Sequence, residues 1–262
     1  MLLAGVFIAL AAIKIIVIIQ QMSSTEISPG LVIQGFTPPL ELSNFKLIAF
    51  DMDSTLINIE CIDEIADAAG RKAEVAAITE AAMRGEITDF KDSLRRRLAL
   101  LKGVSVASME EVYAKRLQIN PGAKELIDAC KAAGLKVLLV SGGFTFFADR
   151  VKERLNIDFA RSNLLEIKDG KLTGQLVIQA WGEICDGEEK RRTVLATCES
   201  LGVTPKQAIA MGDGANDLPM MRLCAEAGGL SVAYHAKPKV RTEAMVAINS
   251  GGLHRLLTIF TH

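Results

Sequence analysis

The chain has 262 residues, of which 50% are hydrophobic and 23% are charged, with a formal net charge of −1. This length and apolar content suit one large domain or two unequal ones. The near-neutral charge and 5% aromatic content argue against a basic nucleic-acid-binding surface and a platform for stacking single strands. The five cysteines are widely spaced and include no Cys-x-x-Cys pair, so a reducing cytoplasm fits better than a disulfide scaffold or a cysteine-rich zinc site.

Residues 1–21 differ from the rest of the chain because they are apolar apart from Lys14 and the two glutamines at their end. They show neither a clear basic start nor a small-residue cleavage site, so a secretory signal is not indicated. Three interpretations stay open: a dispensable extension ahead of a working start at Met22, a membrane anchor, and a packed helix. Residues 22–44 contain several serines, prolines and glycines and are expected to form a linker with one short strand at Leu31–Ile33.

The next stretch predicts a buried strand followed by a block of helices. Lys46–Phe50 is a short apolar run that is followed at once by Asp51. Residues 59–119 contain no strand-like run, and their apolar residues have helical spacing. This block is too long for a single crossover between neighbouring strands. We therefore expect a small helical cap domain inserted into a core formed by residues 45–58 and 120–262.

The remaining chain alternates between helices and strands. A helix over Ala123–Ala133 precedes a strand at Leu135–Val140, and the Asp-Gly pair within Lys168–Gly174 is typical of a β-hairpin. Two more short apolar strands are predicted at Gln207–Met211 and Leu230–Ala233. This alternation predicts an α/β fold with a mostly parallel sheet.

Polar clusters follow three of the predicted strands, at the edge where ligands bind in open α/β sheets. They are Asp51–Thr55, Ser141–Gly143 and Gly212–Asp217, and a fourth segment, Asp186–Lys190, adds a cation. Carboxylates that converge at one sheet edge repel one another, and a hard divalent cation such as Mg²⁺ would relieve that repulsion. A hydroxyl, glycine N–H groups and a lysine are groups that bind phosphate. A single cluster could be a helix cap or a turn, but the four together indicate a site for Mg²⁺ and a phosphorylated ligand.

The order Asp-x-Asp-x-Thr, Ser, Lys and Gly-Asp-Gly-x-Asn-Asp resembles the haloacid dehalogenase superfamily of phosphotransferases. More narrowly, the chain is similar to the phosphoserine phosphatase family in the segments Phe50–Gly70, Ser93–Arg97, Val140–Phe144, Asp186–Lys190 and Met211–Met220. The resemblance covers roughly residues 45–258 and implies a Rossmann-like core with a helical cap. It also implies hydrolysis of O-phospho-L-serine, the last step of serine biosynthesis.

The resemblance assigns the chemistry to four aspartates. Asp51 would attack phosphorus to give an aspartyl-phosphate, and Asp53 would protonate the leaving serine oxygen and then activate water. Mg²⁺ would bind the Asp51 carboxylate, the Asp53 carbonyl and Asp213. Asp217 would orient Lys190 or the waters of the metal ion.

The resemblance assigns substrate binding to residues of both the core and the cap. The phosphoryl oxygens would be held by Ser141, the Gly142 N–H, Lys190 and Asn216. In the cap, Glu60 would bind the substrate ammonium and Arg97 its carboxylate, the alternative being that Arg97 lies on a solvated helix face beside Arg95 and Arg96. One departure from the family is an apparent insertion of about one helical turn at Arg222–Ala225.

Two rival functions stay open at this point. One is a phosphatase or phosphotransferase that acts on another small phosphorylated amino acid or metabolite. The other is a non-catalytic binding protein tethered to a membrane through residues 1–21, although such a protein would not need both Asp51 and Asp53. The expected partner is a small-molecule substrate rather than a nucleic acid, the expected location is the cytoplasm, and the sequence does not fix an oligomeric state.

Overall fold

The computed structural model describes residues 24–83 and 86–261. Within these ranges one sheet contains nine strands. In chain order they are β1 (Thr25–Ser28), β2 (Leu31–Ile33), β3 (Leu47–Phe50), β4 (Lys136–Phe144), β5 (Phe159–Lys168), β6 (Lys171–Val177), β7 (Ala208–Gly212), β8 (Leu230–Tyr234) and β9 (Val246–Ile248). The helices of the same ranges are α1 (Cys61–Ala68), α2 (Lys72–Met83), α3 (Phe90–Leu100), α4 (Val106–Lys115), α5 (Ala123–Ala132), α6 (Thr145–Arg154), α7 (Gly187–Ser200), α8 (Leu218–Glu226) and α9 (Pro238–Glu243).

The sheet has the strand order β1-β2-β9-β8-β7-β3-β4-β5-β6. The six strands from β9 to β5 run parallel, and β2 and β6 pair antiparallel at either side of them. Alternate residues of β3 enter two different cores, with Ile48 and Phe50 on one face and Leu47 and Ala49 on the other. Because both faces are covered, β3, β7 and β8 are buried along their whole length, which explains their predominantly apolar sequence. The predicted fold class, a mostly parallel α/β core with an inserted helical cap, is confirmed.

Of the five α-helices described between β3 and β4, the first four, α1–α4, form the cap, and α5 packs against β4 in the core. The chain leaves and re-enters the core along two adjacent segments, where Ile57 pairs with Ile119 and the Asn58 N–H donates to the Gln118 carbonyl at 3.0 Å. The Asn120 side chain donates across the same junction to the carbonyls of Thr55, at 2.8 Å, and Ile57, at 3.0 Å. The cap is therefore joined to the core by two side-by-side connections.

The predicted hairpin is also present, and it supports the cap. Its turn, Asp169–Gly170, has φ angles of 51° and 70°, which suit a tight turn between twisted antiparallel strands. The cap segment between α3 and α4 bonds to this hairpin. The Gly103 N–H donates to the Leu172 carbonyl at 2.8 Å, and the Leu172 N–H donates to Val104 at 2.8 Å.

The prediction of a linker over residues 22–44 was wrong in part. The short strand at Leu31–Ile33 exists, but it belongs to the sheet: β2 pairs with β9 and also with β1, which was not predicted. Leu31 has 0% and Ile33 4% of its surface exposed, so both contribute to the core. Pro29 and Gly30 form the turn between β1 and β2 rather than a flexible connection.

Two other sequence expectations concern the N-terminus and α8. The hydrophobic stretch at residues 1–21 lies outside the described residues. Across residues 24–83 and 86–261, each helix is too short or too polar to cross a membrane. Arg222–Ala225, the apparent insertion, forms part of α8.

Candidate active site

The first strand end of the site is that of β3, where Asp51 is buried with 4% of its surface exposed. After Asp51 the chain turns tightly through Met52–Leu56, and Ser54 adopts a left-handed conformation with φ of 56°. This turn brings Asp53 back toward the start of α1, where its Oδ1 accepts a hydrogen bond from the Cys61 N–H at 3.3 Å. Ser54 donates from Oγ to Glu60 Oε1 at 2.7 Å, which ties the residue before α1 to the same turn.

Lys190 links two of the predicted acidic residues. It lies on α7, whose N-terminus is capped by Asp186 through a 2.8 Å hydrogen bond from the Glu189 N–H. Its side chain is fully buried, with Nζ 2.5 Å from Asp51 Oδ1 and 2.6 Å from Asp217 Oδ1. Burial alone would lower the pKa of Lys190, but Asp217 and Asp51 raise it above its ordinary value, so the ammonium stays charged.

The third strand end, that of β7, supplies Asp213 and Asp217. Carboxylate oxygens of Asp51, Asp213 and Asp217 all lie within 4.8 Å of one another. Both oxygens of Asp217 are engaged, because Oδ1 accepts from Lys190 and Oδ2 accepts from the N–H groups of Asp213, at 3.1 Å, and Gly214, at 3.0 Å. Gly212 must be glycine here, since a Cβ would lie 2.4 Å from Asp217 Oδ2.

The carboxyl groups of this cluster resist ionisation. Burial and the nearby Asp217 raise the pKa of Asp51 well above its usual value, although Lys190 opposes the shift. Burial and Asp217 also raise the pKa of Asp213 to about 7. Burial and Glu60 raise the pKa of Asp53 to about 7. Lys190 is thus insufficient to neutralise the cluster, and the oxygen-only donor set suits a hard divalent cation such as Mg²⁺.

The second strand end, that of β4, brings Ser141 and Gly142 to the same edge. Ser141 is fully buried, and its Oγ accepts a hydrogen bond from the Gly143 N–H at 2.8 Å. A Cβ placed on Gly142 would lie 3.5 Å from the Phe90 ring of the cap and 4.0 Å from Asn216 Nδ2. A Cβ on Gly143 would lie 2.6 Å from Asp53 Oδ2, so the second glycine leaves room for that carboxylate. Phe90 was not assigned to the site from the sequence, where it has no signal beyond being apolar.

The cap contributes Glu60 and Arg97. Arg97 is half-buried on α3, and its Nε donates a hydrogen bond to the Ser93 carbonyl at 3.4 Å. Burial lowers the pKa of Arg97, while Asp63 and Glu60 oppose that shift. The alternative interpretation, a solvated helix face, applies to the neighbouring arginines. Arg95 is exposed and pairs with Glu183, and Arg96 is exposed and pairs with Asp92.

Two ion pairs connect the cap to the core beside the site. Lys91 Nζ lies 3.1 Å from Asp186 Oδ2, and Arg95 Nη2 lies 2.7 Å from Glu183 Oε2. Both cationic residues lie on α3, the helix that carries Arg97, and both acidic residues precede α7, the helix that carries Lys190. These contacts join the helix of Arg97 to the segment that leads into the helix of Lys190.

Comparison with known proteins gives a consistent assignment. The family model described as haloacid dehalogenase-like hydrolase matches residues 48–222. A phosphoserine phosphatase of Polaromonas sp. is 74% identical over 238 residues, which cover 91% of this chain and 99% of that protein. A solved structure of a phospho-aspartyl intermediate analogue of phosphoserine phosphatase has a TM-score of 0.74 and 39% identity, covering 83% of this chain and 99% of that one. A substrate-bound phosphoserine phosphatase complex has a TM-score of 0.74 and 38% identity, with the same coverage of 83% and 99%.

Proposed function

Because this chain belongs to the haloacid dehalogenase-like hydrolase family, we propose that it hydrolyses O-phospho-L-serine to L-serine and phosphate, the last step of serine biosynthesis. The observation that carries the proposal is the 74% identity to a phosphoserine phosphatase over nearly the full length of both chains. The enzyme is a phosphoric monoester hydrolase. Because the five cysteines are buried and unpaired, we place it in a reducing compartment, the cytoplasm.

Asp51 is the nucleophile in this proposal. One of its carboxylate oxygens forms a bond to phosphorus while the bond from phosphorus to the serine oxygen breaks, which gives an aspartyl-phosphate. Lys190, 2.5 Å from Asp51 Oδ1, supports the role because its positive charge favours the ionised form of this buried carboxyl group and offsets the negative charge of the phosphoryl oxygens.

Asp53 is the acid and then the base. Its pKa of about 7 means that a substantial fraction carries a proton near neutral pH, and this proton passes to the departing serine oxygen. The resulting carboxylate then takes a proton from water as the water oxygen attacks phosphorus. The bond from phosphorus to Asp51 breaks, which releases phosphate and restores the Asp51 carboxylate.

The phosphoryl oxygens are bound by four groups, which come from the ends of β4 and β7 and from helix α7. The Ser141 hydroxyl, the Gly142 N–H and Lys190 surround the position that a phosphoryl group would occupy next to Asp51. Asn216 faces Gly142 from the loop after β7 and provides the fourth contact. Because these donors are already held in place within a buried site, they can stabilise the negative charge of the phosphoryl oxygens without rearranging.

A divalent cation, Mg²⁺ by its preference for oxygen ligands, would be held by the Asp51 carboxylate, the Asp53 carbonyl and Asp213. Asp213 is a better direct ligand than Asp217, because both Asp217 oxygens already accept hydrogen bonds whereas no described residue donates to the Asp213 carboxylate. When bound, the ion neutralises negative charge that develops on the transferring phosphoryl group.

Substrate choice is assigned to Glu60 and Arg97. Glu60 is exposed at the start of α1 and can accept the substrate ammonium, while Arg97 offers two parallel N–H groups to its carboxylate. The ion pairs that occupy Arg95 and Arg96 leave Arg97 as the arginine of α3 that is available to a ligand.

The direct test is phosphate release from phosphoserine, phosphothreonine and a sugar phosphate, each with Mg²⁺ and with a chelator. We expect turnover of phosphoserine in Mg²⁺, much slower turnover of the other two, and loss of turnover in chelator. The Asp51→Asn variant gives the background rate of phosphate release. If the sugar phosphate or the phosphothreonine is hydrolysed faster, that compound and not phosphoserine is the substrate. If none of the three releases phosphate in a Mg²⁺-dependent way, the proposed activity is contradicted.

A further inference from the structure

The strand that carries Ser141 and Gly142 loses its regular pairing at those residues. On one side Val140 pairs with Arg161, and on the other Phe144 pairs with Asn163. Three residues of β4, Ser141–Gly143, therefore lie opposite the single residue Ser162 of β5. Such a bulge leaves backbone groups without their ladder partners, and buried backbone groups need other partners.

Asn163 supplies one of these partners from its side chain. It has 0% of its surface exposed, and its Nδ2 donates to the Gly142 carbonyl at 2.7 Å. Its Oδ1 accepts from the Cys185 N–H, also at 2.7 Å. Because a carbonyl can only accept and an N–H can only donate, these two partners fix the orientation of the amide.

The contact to Gly142 has a consequence for Ser141. The Gly142 carbonyl and the Gly143 N–H belong to one planar peptide unit and point in opposite directions. Asn163 holds the carbonyl side, and the N–H side donates to Ser141 Oγ at 2.8 Å. The Ser141 oxygen is thereby used as an acceptor, and its own O–H proton remains available to a phosphoryl oxygen. Without a side chain at either glycine, this peptide has little else to fix its rotation.

The contact to Cys185 connects the Asn163 side chain to the helix that carries Lys190. Cys185 immediately precedes Asp186, the N-cap of α7, and Lys190 follows in the first turns of that helix. The two loops are in contact, since a Cβ on Gly142 would lie 3.4 Å from the Cys185 carbonyl oxygen. One buried amide thus bridges the loop of Ser141 and Gly142 to the start of the helix that carries Lys190.

We propose that Asn163 is a positioning residue that fixes the phosphoryl-binding groups of this site relative to one another. The inference rests on the proposed function, because it assumes that Ser141, Gly142 and Lys190 bind a phosphoryl group. Asn163 acts through these groups and does not touch the serine portion of the substrate. Its loss therefore affects every phosphate monoester that the enzyme hydrolyses, in contrast to the loss of a cap residue.

The test is Asn163→Asp, which keeps the size of the side chain and the acceptor for Cys185. An ionised carboxylate oxygen replaces the donor and repels the Gly142 carbonyl. We expect kcat/KM to fall by about 10- to 100-fold for phosphoserine and by the same factor for an aryl phosphate, with a similar rise in the inhibition constant of inorganic phosphate. The matched control is Gln179→Ala, which removes a 3.0 Å hydrogen bond from Nε2 to the Ser162 carbonyl. We expect this control to change the three quantities less than twofold.

A pH series separates positioning from a general loss of packing. When the introduced carboxyl group is protonated, its O–H can donate to Gly142 as the amide did. The activity of Asn163→Asp relative to the wild type should therefore recover as the pH is lowered from about 8 to 6. A packing defect would not be relieved by protonation. In Asn163→Ser the hydroxyl is too short to reach Gly142, so this variant should show the same kinetic loss and no recovery at low pH. It replaces Asn163→Asp in the test if that variant does not fold.

The proposal is overturned if folded Asn163→Asp or Asn163→Ser retains wild-type kinetics and wild-type phosphate inhibition. It is also overturned if the loss is confined to phosphoserine, because that result would place Asn163 with the cap residues. The kinetics of the wild-type enzyme distinguish a failure of the proposed function from a failure of the proposed role of Asn163. If the wild-type enzyme hydrolyses the aryl phosphate and not phosphoserine, the proposed substrate is wrong, and the Asn163 comparison still stands on the aryl phosphate.

Discussion

Lys190 and Asp217 form an ion pair in which neither side chain has any exposed surface, with Nζ 2.6 Å from Oδ1. The same ammonium lies 2.5 Å from Asp51, so one cation serves two buried carboxylates. Removal of one partner from a buried pair costs more than the pair itself contributes, because the remaining charge is left without compensation.

Lys190→Met should therefore reduce both stability and turnover. We expect the free energy of unfolding, measured in urea without Mg²⁺, to fall by about 3–5 kcal/mol, and phosphate release to be lost. The matched control is Lys124→Met, which removes a pair with Asp128 whose side chains are 71% and 56% exposed. That control should cost less than about 1 kcal/mol. Equal effects of the two variants would contradict the assigned role of Lys190.

Gly143→Ala should impair Asp53, the proposed acid–base group, without removing it. The new Cβ would lie 2.6 Å from Asp53 Oδ2, and this carboxylate is the group that can rotate away. We expect kcat to fall by about 10²- to 10³-fold, within the range typical of general acid–base catalysis. A double-mutant cycle with Asp53→Asn gives the check, because the alanine should cost little more once Asp53 has been replaced. Full additivity of the two losses would mean that Gly143 acts elsewhere.

Arg97→Ala should change substrate choice more than it changes the chemistry. A closed cap leaves the substrate carboxylate buried without its partner, so kcat/KM for phosphoserine should fall by about two to three orders of magnitude. Hydrolysis of an aryl phosphate, which has no carboxylate, should change much less. Arg96→Ala is the control, since Arg96 is exposed and its pair with Asp92 lies along one helix. Parallel losses on both substrates would assign Arg97 to the fold.

Mg²⁺ should stabilise the folded protein more at pH 8 than at pH 5.5. The pKa values of Asp53 and Asp213 are about 7 in the folded state, above the ordinary 3.8, so the folded state binds more protons between about pH 4 and 7. Without metal, these groups therefore lower the free energy of unfolding as the pH rises through that range. The ion binds the deprotonated carboxylates and reverses this loss, by about 2.7 kcal/mol at 100 times its Kd.

Thermal unfolding with and without Mg²⁺ at the two pH values measures the effect. Asp213→Asn should reduce the shift in Tm at pH 8, whereas Asp128→Asn, at an exposed pair, should leave it unchanged. A larger shift at pH 5.5 would contradict the assignment of the metal site.

Deletions at the N-terminus should separate two parts of the chain. A protein that begins at Met22 should retain phosphatase activity, because the site residues all follow residue 50. A protein that begins at Pro38 lacks β1 and β2 and loses the burial of Leu31 and Ile33. We expect its free energy of unfolding to be lower by at least about 3 kcal/mol, measured in urea. Loss of activity in a folded protein that begins at Met22 would assign residues before it to the catalytic domain.

The strand ends that carry the candidate site residues could be predicted because their signal is local. Asp51 and Ser141 each follow an apolar run directly, and parallel topology brings such strand ends to one edge whatever the loops between them. Consecutive arginines on one helix could not be separated in this way, since burial and ion pairing distinguish Arg97 from Arg95 and Arg96. Those contacts arise from the docking of the cap on the core.

Other features escaped prediction because they depend on partners far along the chain. The three residues of β9 carry too weak a pattern to indicate a strand, and β1 and β2 join the sheet through it. Asn163 is one polar residue that precedes the predicted hairpin at Lys168–Gly174, and its importance follows from a bulge in β4 that no local sequence pattern predicts. Sequence periodicity predicts elements, whereas such contacts follow from how the elements pack.

The central position of β3 also determines when the enzyme can form during synthesis. Leu47 pairs with Lys136 on one side and with Ala208 on the other, so the strand that leads to Asp51 lacks one of its two neighbouring strands until β7 has emerged from the ribosome. Until then its apolar edge is exposed, which is the condition under which nascent chains aggregate and chaperones bind. A truncated chain that ends before β7 would thus carry Asp51 and Asp53 and still be unable to assemble the site.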